Sequence, residues 1–345
     1  MLRPVKPIDS GRPQRPTRSE LVLGEALVDR FADGAVVGGA PFNVARSLAA
    51  LGVPTTMLTR IGDDDDDGAQ VLASALRFGL DDRAIQRDPV HATGAVTVLE
   101  RDGEHRFQIH ADAAWDHIAL DQAQVALQSH QPRVIYFGTL AQRARVSAHT
   151  ISALLDATTA LRYLDLNLRA GQDNRELASA SLQRADWVKV NDDELRSLLV
   201  WFVPDIDPAA PDDSDVQRSG VRRLMQRFSL RRLIVTRGAR GYVAFDALGR
   251  RIAQGPGQPL ARVVDSVGAG DAFSAAFLAL QSAGRPLADS LAAANRYAAA
   301  ICAERGALPE DPQFFRAWRS SLGLAEPSKA TRLPSASRHQ KGMSR

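Results

Sequence analysis

The sequence predicts an α/β protein, and three observations carry that class. Strand-like apolar runs alternate with helical runs from residue 19 to about 265. Repeated units of that kind demand a mostly parallel sheet covered by helices on both faces. The segment from Ala95 to His110 has one polar face, which does not suit such a doubly buried sheet. It is assigned to a small, reduced β lid. After Asp265 the chain reads as nearly all helical, which closes one face of the sheet.

The elements follow in order. Leu21–Ala26 is read as the first strand, with Asp29 at its end. Pro41–Leu51 is a helix: Pro41 suits a first turn and Gly52 a C-terminal cap. Thr55–Ile61 is a strand and Ala69–Phe78 a helix closed by Gly79. Ala95–Arg101 and Glu104–His110 form a hairpin about Asp102-Gly103, a favoured two-residue turn. Strands are expected at Arg133–Phe137, Arg162–Leu166, Trp187–Val190 and Arg232–Thr236, with helices between them. Helices close the chain at Gly270–Ser282, Leu287–Ala303 and Pro312–Leu322. Pro204–Asp215 reads as an exposed insertion, and the five aspartates Asp63–Asp67 as a solvated turn. The alternating ligands and glycine of a calcium-binding EF-hand loop are missing from that run.

The organisation expected is a domain over 19–327 with lid segments near 30–37 and 91–111, flanked by basic tails at 1–18 and 328–345. Residues 1–18 carry five Lys/Arg against Asp9, and residues 328–345 five against no acid. With a net charge of +3 for the 345 residues, the tails hold +9 and the body is left at −6. Basic, Pro/Ser-rich ends are read as solvated disorder, and the acidic body argues against nucleic-acid binding. The charged, proline-broken start Met1–Pro7 does not read as an export signal, and no apolar run reaches membrane-spanning length. Cys302 is the single cysteine, which excludes an intrachain disulfide and any multi-cysteine metal site. A cytoplasmic location fits best.

Chemistry concentrates in two glycine-rich turns. In Val264-Asp265-Ser266-Val267-Gly268-Ala269-Gly270-Asp271, glycines open a helix. Free amides at a helix N-terminus hold an anion, and glycines allow the backbone to approach a phosphate. Asp271 could simply complement the helix dipole. A carboxylate beside a phosphate cradle is repulsive, however, unless it has work such as accepting a proton from an attacking hydroxyl. The second turn, Gly38-Gly39-Ala40-Pro41-Phe42-Asn43, precedes a helix, and its amide could hydrogen-bond a polyol. Other nucleotide sites are excluded. None of the four lysines, Lys6, Lys189, Lys329 and Lys341, follows a glycine, so there is no P-loop. Phe273 stands where a dinucleotide fingerprint needs a small residue. The seven histidines lack metalloprotease spacing and are read as surface or lid residues.

Taken together, these segments resemble the ribokinase/pfkB family of carbohydrate kinases. Both halves of the family signature are present, at Gly38–Ala45 and Asp265–Asp271. Between and beyond them, in order, stand Asp165-Leu166-Asn167-Leu168-Arg169, Asn191-Asp192-Asp193-Glu194, Thr236-Arg237-Gly238 and Asn295. The resemblance covers about residues 19–322 and implies a ribokinase-like fold. It implies Asp271 as the catalytic base and Gly268, Ala269 and Gly270 as the anion hole. It gives Asp29, Gly38, Gly39, Asn43 and Arg169 to the substrate. It gives Asn191, Glu194, Thr236, Gly238 and Asn295 to ATP, with Glu194 organising Mg2+ through water and Asp265 near a monovalent cation such as K+. The implied partners are a sugar and ATP, with neither membrane nor nucleic acid, and a homodimer is left open.

The Gly-Gly-Ala-Pro-x-Asn wording leans towards fructokinases, so the expected reaction is ATP-dependent phosphorylation of a sugar hydroxyl, fructose first. The alternatives are a 2-keto-3-deoxygluconate or nucleoside kinase, a catalytically idle fold acting as a binding or regulatory protein, and a nucleic-acid partner working through the tails. Ser266 replaces the usual Thr. Phe42, where fructokinase-like members often have a small residue, is expected to reshape the sugar pocket. Only eight residues separate Asp29 from Gly38, which is short for a lid and argues against lid-mediated dimerisation.

Overall fold

The computed structural model describes residues 19–326 except 33, 102–103, 170–174 and 208–209. The two tails and the Asp102-Gly103 turn therefore lie outside the described residues. Nine strands form the main sheet: β1 (Glu20–Leu23), β4 (Thr55–Gly62), β5 (Ile85–Asp88), β8 (Val134–Phe137), β9 (Leu161–Asp165), β10 (Trp187–Asn191), β11 (Arg232–Thr236), β12 (Tyr242–Asp246) and β13 (Arg251–Gly255). Their order is β13-β12-β11-β10-β9-β8-β1-β4-β5. From β11 to β5 every pairing is parallel, and β12 and β13 add an antiparallel edge.

Period-two alternation sends the two faces into separate cores. Leu21, Leu23, Phe137, Leu164, Val188 and Leu233 face one cluster. It is covered by α3 (Leu120–His130), α4 (Arg145–Asp156), α5 (Arg175–Arg184), α6 (Asp192–Phe202) and α7 (Asp215–Phe228). Val22, Met57, Tyr136, Tyr163 and Ile234 face the other. It is covered by α1 (Ala40–Ala50), α2 (Asp66–Arg77), α8 (Ala269–Ser282) and α9 (Leu287–Ile301). Helix α10 (Pro312–Ser321) caps that side, with Phe315 edge-on to Phe78. Both α1 and α8 are apolar and deeply buried, so burial rather than surface charge fixes their position. Among the described residues no helix is long and apolar enough to cross a membrane.

A second sheet of four strands runs β3-β2-β6-β7. Its members are β2 (Leu27–Phe31), β3 (Gly34–Gly38), β6 (Gly94–Arg101) and β7 (Glu104–Ile109). The short interval between Asp29 and Gly38 is a direct hairpin, in which Asp29 pairs with Val36. Strand β2 then pairs in parallel with β6, a contact between distant segments.

The structure corrects three readings. The predicted first strand stops at Leu23, because Gly24 takes φ +148° and a side chain there would strike the Pro41 ring. The chain crosses from one sheet to the other at that point, so Asp29 belongs to the small sheet and not to the end of a main strand. The aspartate run is only partly a solvated turn. Asp65 caps α2 and accepts from Gly68 N at 2.5 Å and Thr93 N at 2.7 Å, while Asp67 pairs with Arg30 of β2 at 2.6 Å. Finally, the Pro204–Asp215 segment is more than an exposed insertion. Asp212 and Asp213 grip Arg240 at 2.5 Å and Arg237 at 2.8 Å.

Candidate active site

The candidate residues line up along the carboxyl ends of the parallel strands, where ligands bind in open α/β sheets. Asp165 and Lys189 are register partners on β9 and β10. One step further, Asn191 pairs with Thr236 across β10 and β11. Above this row stand the first turns of α1 and α8.

The two glycine turns meet. Asn43 Nδ2 donates to Asp271 Oδ2 at 2.9 Å across 228 residues of sequence. The contact depends on backbone that only glycine adopts readily. Gly39 has φ +100°, and a Cβ there would fall 2.7 Å from the Glu25 carbonyl oxygen. Gly268 has φ +78°, and its Cβ would lie 2.6 Å from Ala307 Cα. Helix α8 makes its first helical bond from Ala272 N to Gly268 O. The amides of Gly270 and Asp271 precede that bond and have no helical acceptor. The turn therefore presents N–H donors and the positive end of a dipole beside the Asp271 carboxylate.

Burial pushes the Asp271 pKa up to about 6, and the Asp165 charge adds to the effect, while Asn43, Lys189 and Arg169 oppose it. Burial also raises Asp29 to about 6 against the pull of Arg169 and Arg46. Asp29 lies against Gly38, where any Cβ would overlap its carboxylate. Arg169 is exposed, and its charge is felt by Glu25, Asp29 and Asp271 alike. Asn43, Gly38, Gly39, Asp29, Arg169 and Asp271 thus form one end of the site.

At the other end, Asn191 and Glu194 close a capping box on α6. Asn191 Oδ1 accepts from Glu194 N at 2.9 Å, and Glu194 Oε2 accepts from Asn191 N at 2.8 Å. The second Glu194 oxygen accepts from Leu168 N at 2.8 Å, beside the Asp165–Arg169 segment. Burial raises the Glu194 pKa, with Asp165 adding and the two amides and Lys189 opposing. Thr236 Oγ1 donates to Val190 O at 3.3 Å. Gly238, with φ +51°, opens a turn with free space where a side chain would project. Asn295 on α9 donates to Pro256 O at 2.9 Å, and neighbouring Gly257 packs against Ala239 of the same turn. Asp265 is held apart from the reacting end, accepting from Val267 N at 2.9 Å and Gly306 N at 3.1 Å.

A model of the pfkB carbohydrate kinase family matches residues 24–313. The chain belongs to the pfkB family. It is 31% identical to a fructokinase of Klebsiella pneumoniae over 311 residues, 84% of this chain and 95% of that one. It is likewise 31% identical to fructokinase-1 of Oryza sativa subsp. japonica, over 86% of this chain and 95% of the relative. In fold it is similar to the ATP-bound fructokinase structure from Xylella fastidiosa, with a TM-score of 0.73, 22% identity, and 89% and 98% of the two chains covered. This pfkB member is a sugar kinase, a phosphotransferase with an alcohol group as acceptor.

Several residues of this pfkB site escaped the sequence reading. Lys189 is buried under the α8 turn, where a Cβ on Gly270 would sit 3.1 Å from its Nζ. Its ammonium bonds both oxygens of buried Asp165 at 2.9 Å, and Ser274 Oγ donates to the same carboxylate at 2.8 Å. Burial, the largest single influence, would lower the Lys189 pKa; the charge and hydrogen bonds of Asp165 together with the Glu194 and Asp271 charges outweigh it, and the net shift is upward. Arg46, three residues after Asn43, is buried and donates to Asn43 Oδ1 at 2.6 Å and Val37 O at 2.9 Å. An arginine on the apolar helix Ala40–Ala50 was the available signal. Phe42 is fully buried, with the Arg46 guanidinium 4.7 Å above its ring. It supports Arg46, and through it Asn43, from the core.

Glu25 was also missed. It lies where the chain crosses between sheets, 2% exposed, with one carboxylate oxygen lacking any hydrogen-bond partner. Burial lifts its pKa to about 7; its own amide and Arg169 oppose, and Asp271 adds to the rise. The Tyr136 hydroxyl, within the reach of the Asp165, Asp271 and Glu25 charges, is also buried without a partner.

Proposed function

We propose that this pfkB kinase transfers the γ-phosphoryl group of ATP to a hydroxyl of fructose, with Asp271 as general base. The observation that carries the reading is the 2.9 Å contact between Asn43 and Asp271. It joins a polyol-binding amide to a proton acceptor beside a helix N-terminus. Relatives at about 30% identity are fructokinases, and a Vibrio cholerae fructokinase variant of the same fold binds fructose, ADP and potassium ion.

Asp29 and Asn43 would bracket vicinal hydroxyls, a carboxylate accepting and an amide both donating and accepting. The attacking hydroxyl gives its proton to Asp271. Its oxygen forms the new bond to the γ-phosphorus as the bond to the ADP oxygen breaks. The backbone of Gly268, Ala269 and Gly270 forms the anion hole, in which the free amides of Gly270 and Asp271 stabilise the transferring group, since phosphoryl transfer depends on positioning and charge neutralisation. Buried Lys189 adds positive charge beneath that turn. Gly38 and Gly39 keep the backbone close to the sugar.

The ATP phosphates would lie towards Asn191 and Glu194, with the base and ribose along Thr236, Gly238 and Asn295. Both Glu194 oxygens already accept backbone amides, so the residues present fit Mg2+ held through water rather than directly. When bound, Mg2+ neutralises phosphate charge. Asp265 fits a supporting role near a monovalent cation, because both its oxygens hold the surrounding loop. The kinase domain is assigned to 19–327, with the small sheet as the lid over the sugar.

A panel of sugars with MgATP tests the substrate. Fructose is expected to give the highest kcat/KM, above ribose, 2-keto-3-deoxygluconate and adenosine. A preference for the acidic sugar would overturn the fructose assignment and move Arg169 into direct contact with substrate.

A further inference from the structure

Two of the seven histidines converge far from the residues described above. His91 lies between β5 and β6, Asp112 follows β7, and His117 ends a short 3-10 turn at Ala114–His117. His117 Nε2 is 2.8 Å from Asp112 Oδ1, and His91 Nε2 is 3.8 Å from the same oxygen. The two imidazole rings stack with centroids 3.6 Å apart and planes 11° from parallel. One ligand atom from each of the three residues falls within 4.8 Å of the others.

The surroundings organise His91 for ligation. Its Nδ1 bonds Asp88 Oδ2 at 3.1 Å, which fixes the proton on Nδ1 and leaves Nε2 as the ligating nitrogen, and because the two rings stack nearly parallel, the His117 ring turns to bring both lone pairs to one ion. Asp88 is buried and is itself held, by Val90 N and His91 N at 2.9 Å and by Arg60 at 2.7 Å. A carboxylate behind the imidazole in this way orients it and raises its basicity towards a metal. His117 is carried by a turn whose Trp115 is fully buried and whose Asp116 is clamped by Arg143 at 2.7 Å. The third ligand, Asp112, is exposed and adjustable.

We propose that His91, Asp112 and His117 form a binding site for a divalent transition-metal cation of the Zn2+ class. Two imidazoles and one carboxylate suit Zn2+, Co2+ or Ni2+, and do not suit Mg2+ or Ca2+, which take oxygen ligands. Three protein ligands leave an open position for water. The site clips the base of the β6–β7 hairpin: His91 stands three residues before β6, and Asp112 three after β7. Since β6 pairs with β2, with Asp29 opposite Val96, a bound cation ties the sheet carrying Asp29 to the main body through His117.

The test is calorimetric titration of the tag-free full chain with Zn2+ in the absence of nucleotide, with Mg2+ as comparison and Co2+ visible absorption reporting imidazole ligation. One Zn2+ per chain is expected, with affinity lowered at least about tenfold in His91→Ala and in His117→Ala. His149→Ala, on the exposed part of α4, should bind as the parent does. Asp112 is 74% exposed, so Asp112→Asn leaves the packing alone and carries the test should a histidine variant fail to fold; it too should weaken Zn2+. Zinc bound equally well by the His91→Ala/His117→Ala double variant, or no binding that distinguishes Zn2+ from Mg2+, would overturn the proposal.

Discussion

The two ends of the site are built differently. At the sugar end, Asp29, Asp271, Glu25 and Arg46 are partly or wholly enclosed, and burial shifts every one of them away from its ordinary pKa. At the nucleotide end the turn at Gly238–Arg240 is largely exposed. Its charges are paired at the surface, Arg240 with Asp192 and Asp212 at 2.5 Å each. Charge held away from water acts strongly on a reacting group, whereas exposed pairs contribute little. In the proposed reaction the proton transfer is placed at the enclosed end, and the open end would hold a ligand that must enter and leave.

Substitutions should separate the two ends sharply. Asp271→Asn keeps shape and helix start but removes the proton acceptor, so kcat should fall by about 10²–10⁴-fold with nucleotide binding intact. Steady-state kinetics and an independent measurement of ATP affinity check this. Near-normal turnover would return Asp271 to a purely dipolar role. Lys189→Met strands the buried Asp165 carboxylate. It should cost about 3–5 kcal/mol of stability, read from urea denaturation.

Glu25 gives a pH signature to the enclosed end. Its folded pKa of about 7 lies above the ordinary carboxyl value of 4.5. The stability it contributes is complete below about 4.5 and is lost as pH rises through about 7. The ligand-free protein should therefore melt lower at pH 8 than at pH 5, and Glu25→Gln should flatten that decline. An unchanged slope in the variant would show that Glu25 is not the group responsible. At the open end, Arg240→Ala should leave stability nearly unchanged, because exposed ion pairs contribute little. It should raise the KM for ATP a few-fold and leave the KM for sugar unchanged. A sugar-side effect would break the division between the ends.

What the sequence made legible follows the same division. Local signals were sufficient where backbone chemistry decides: Gly268 and Gly39 announced their turns. Long apolar periodicity placed α1, α8 and the strands β4 and β8 to β11 within a residue or two, while β1 ends three residues early and β5 was not anticipated. Signals failed where distant segments meet. The run from Leu21 to Val28 looks continuous, yet the chain turns at Gly24, with φ +148° and no room for a side chain against Pro41, and passes from one sheet to the other. Lys189 reads as a stray charge in a strand until Asp165 arrives from the neighbouring one. Pro204–Asp215 has loop composition, yet its aspartates find arginines 24 and 28 residues away. Glu25 was passed over because nothing local reports that it is enclosed.

The central claim is that an enclosed carboxylate takes the proton from the sugar. The most direct measurement is kcat/KM for fructose against pH, in the parent and in Asp271→Asn. With its pKa raised to about 6, Asp271 is protonated and idle in acid. The parent rate should fall below an acid limb near pH 6, and the low residual rate of the variant should lack the contribution of that group. A parent profile flat from about pH 5 to 8, or a variant that keeps both the parent's rate and its acid limb, would contradict the account.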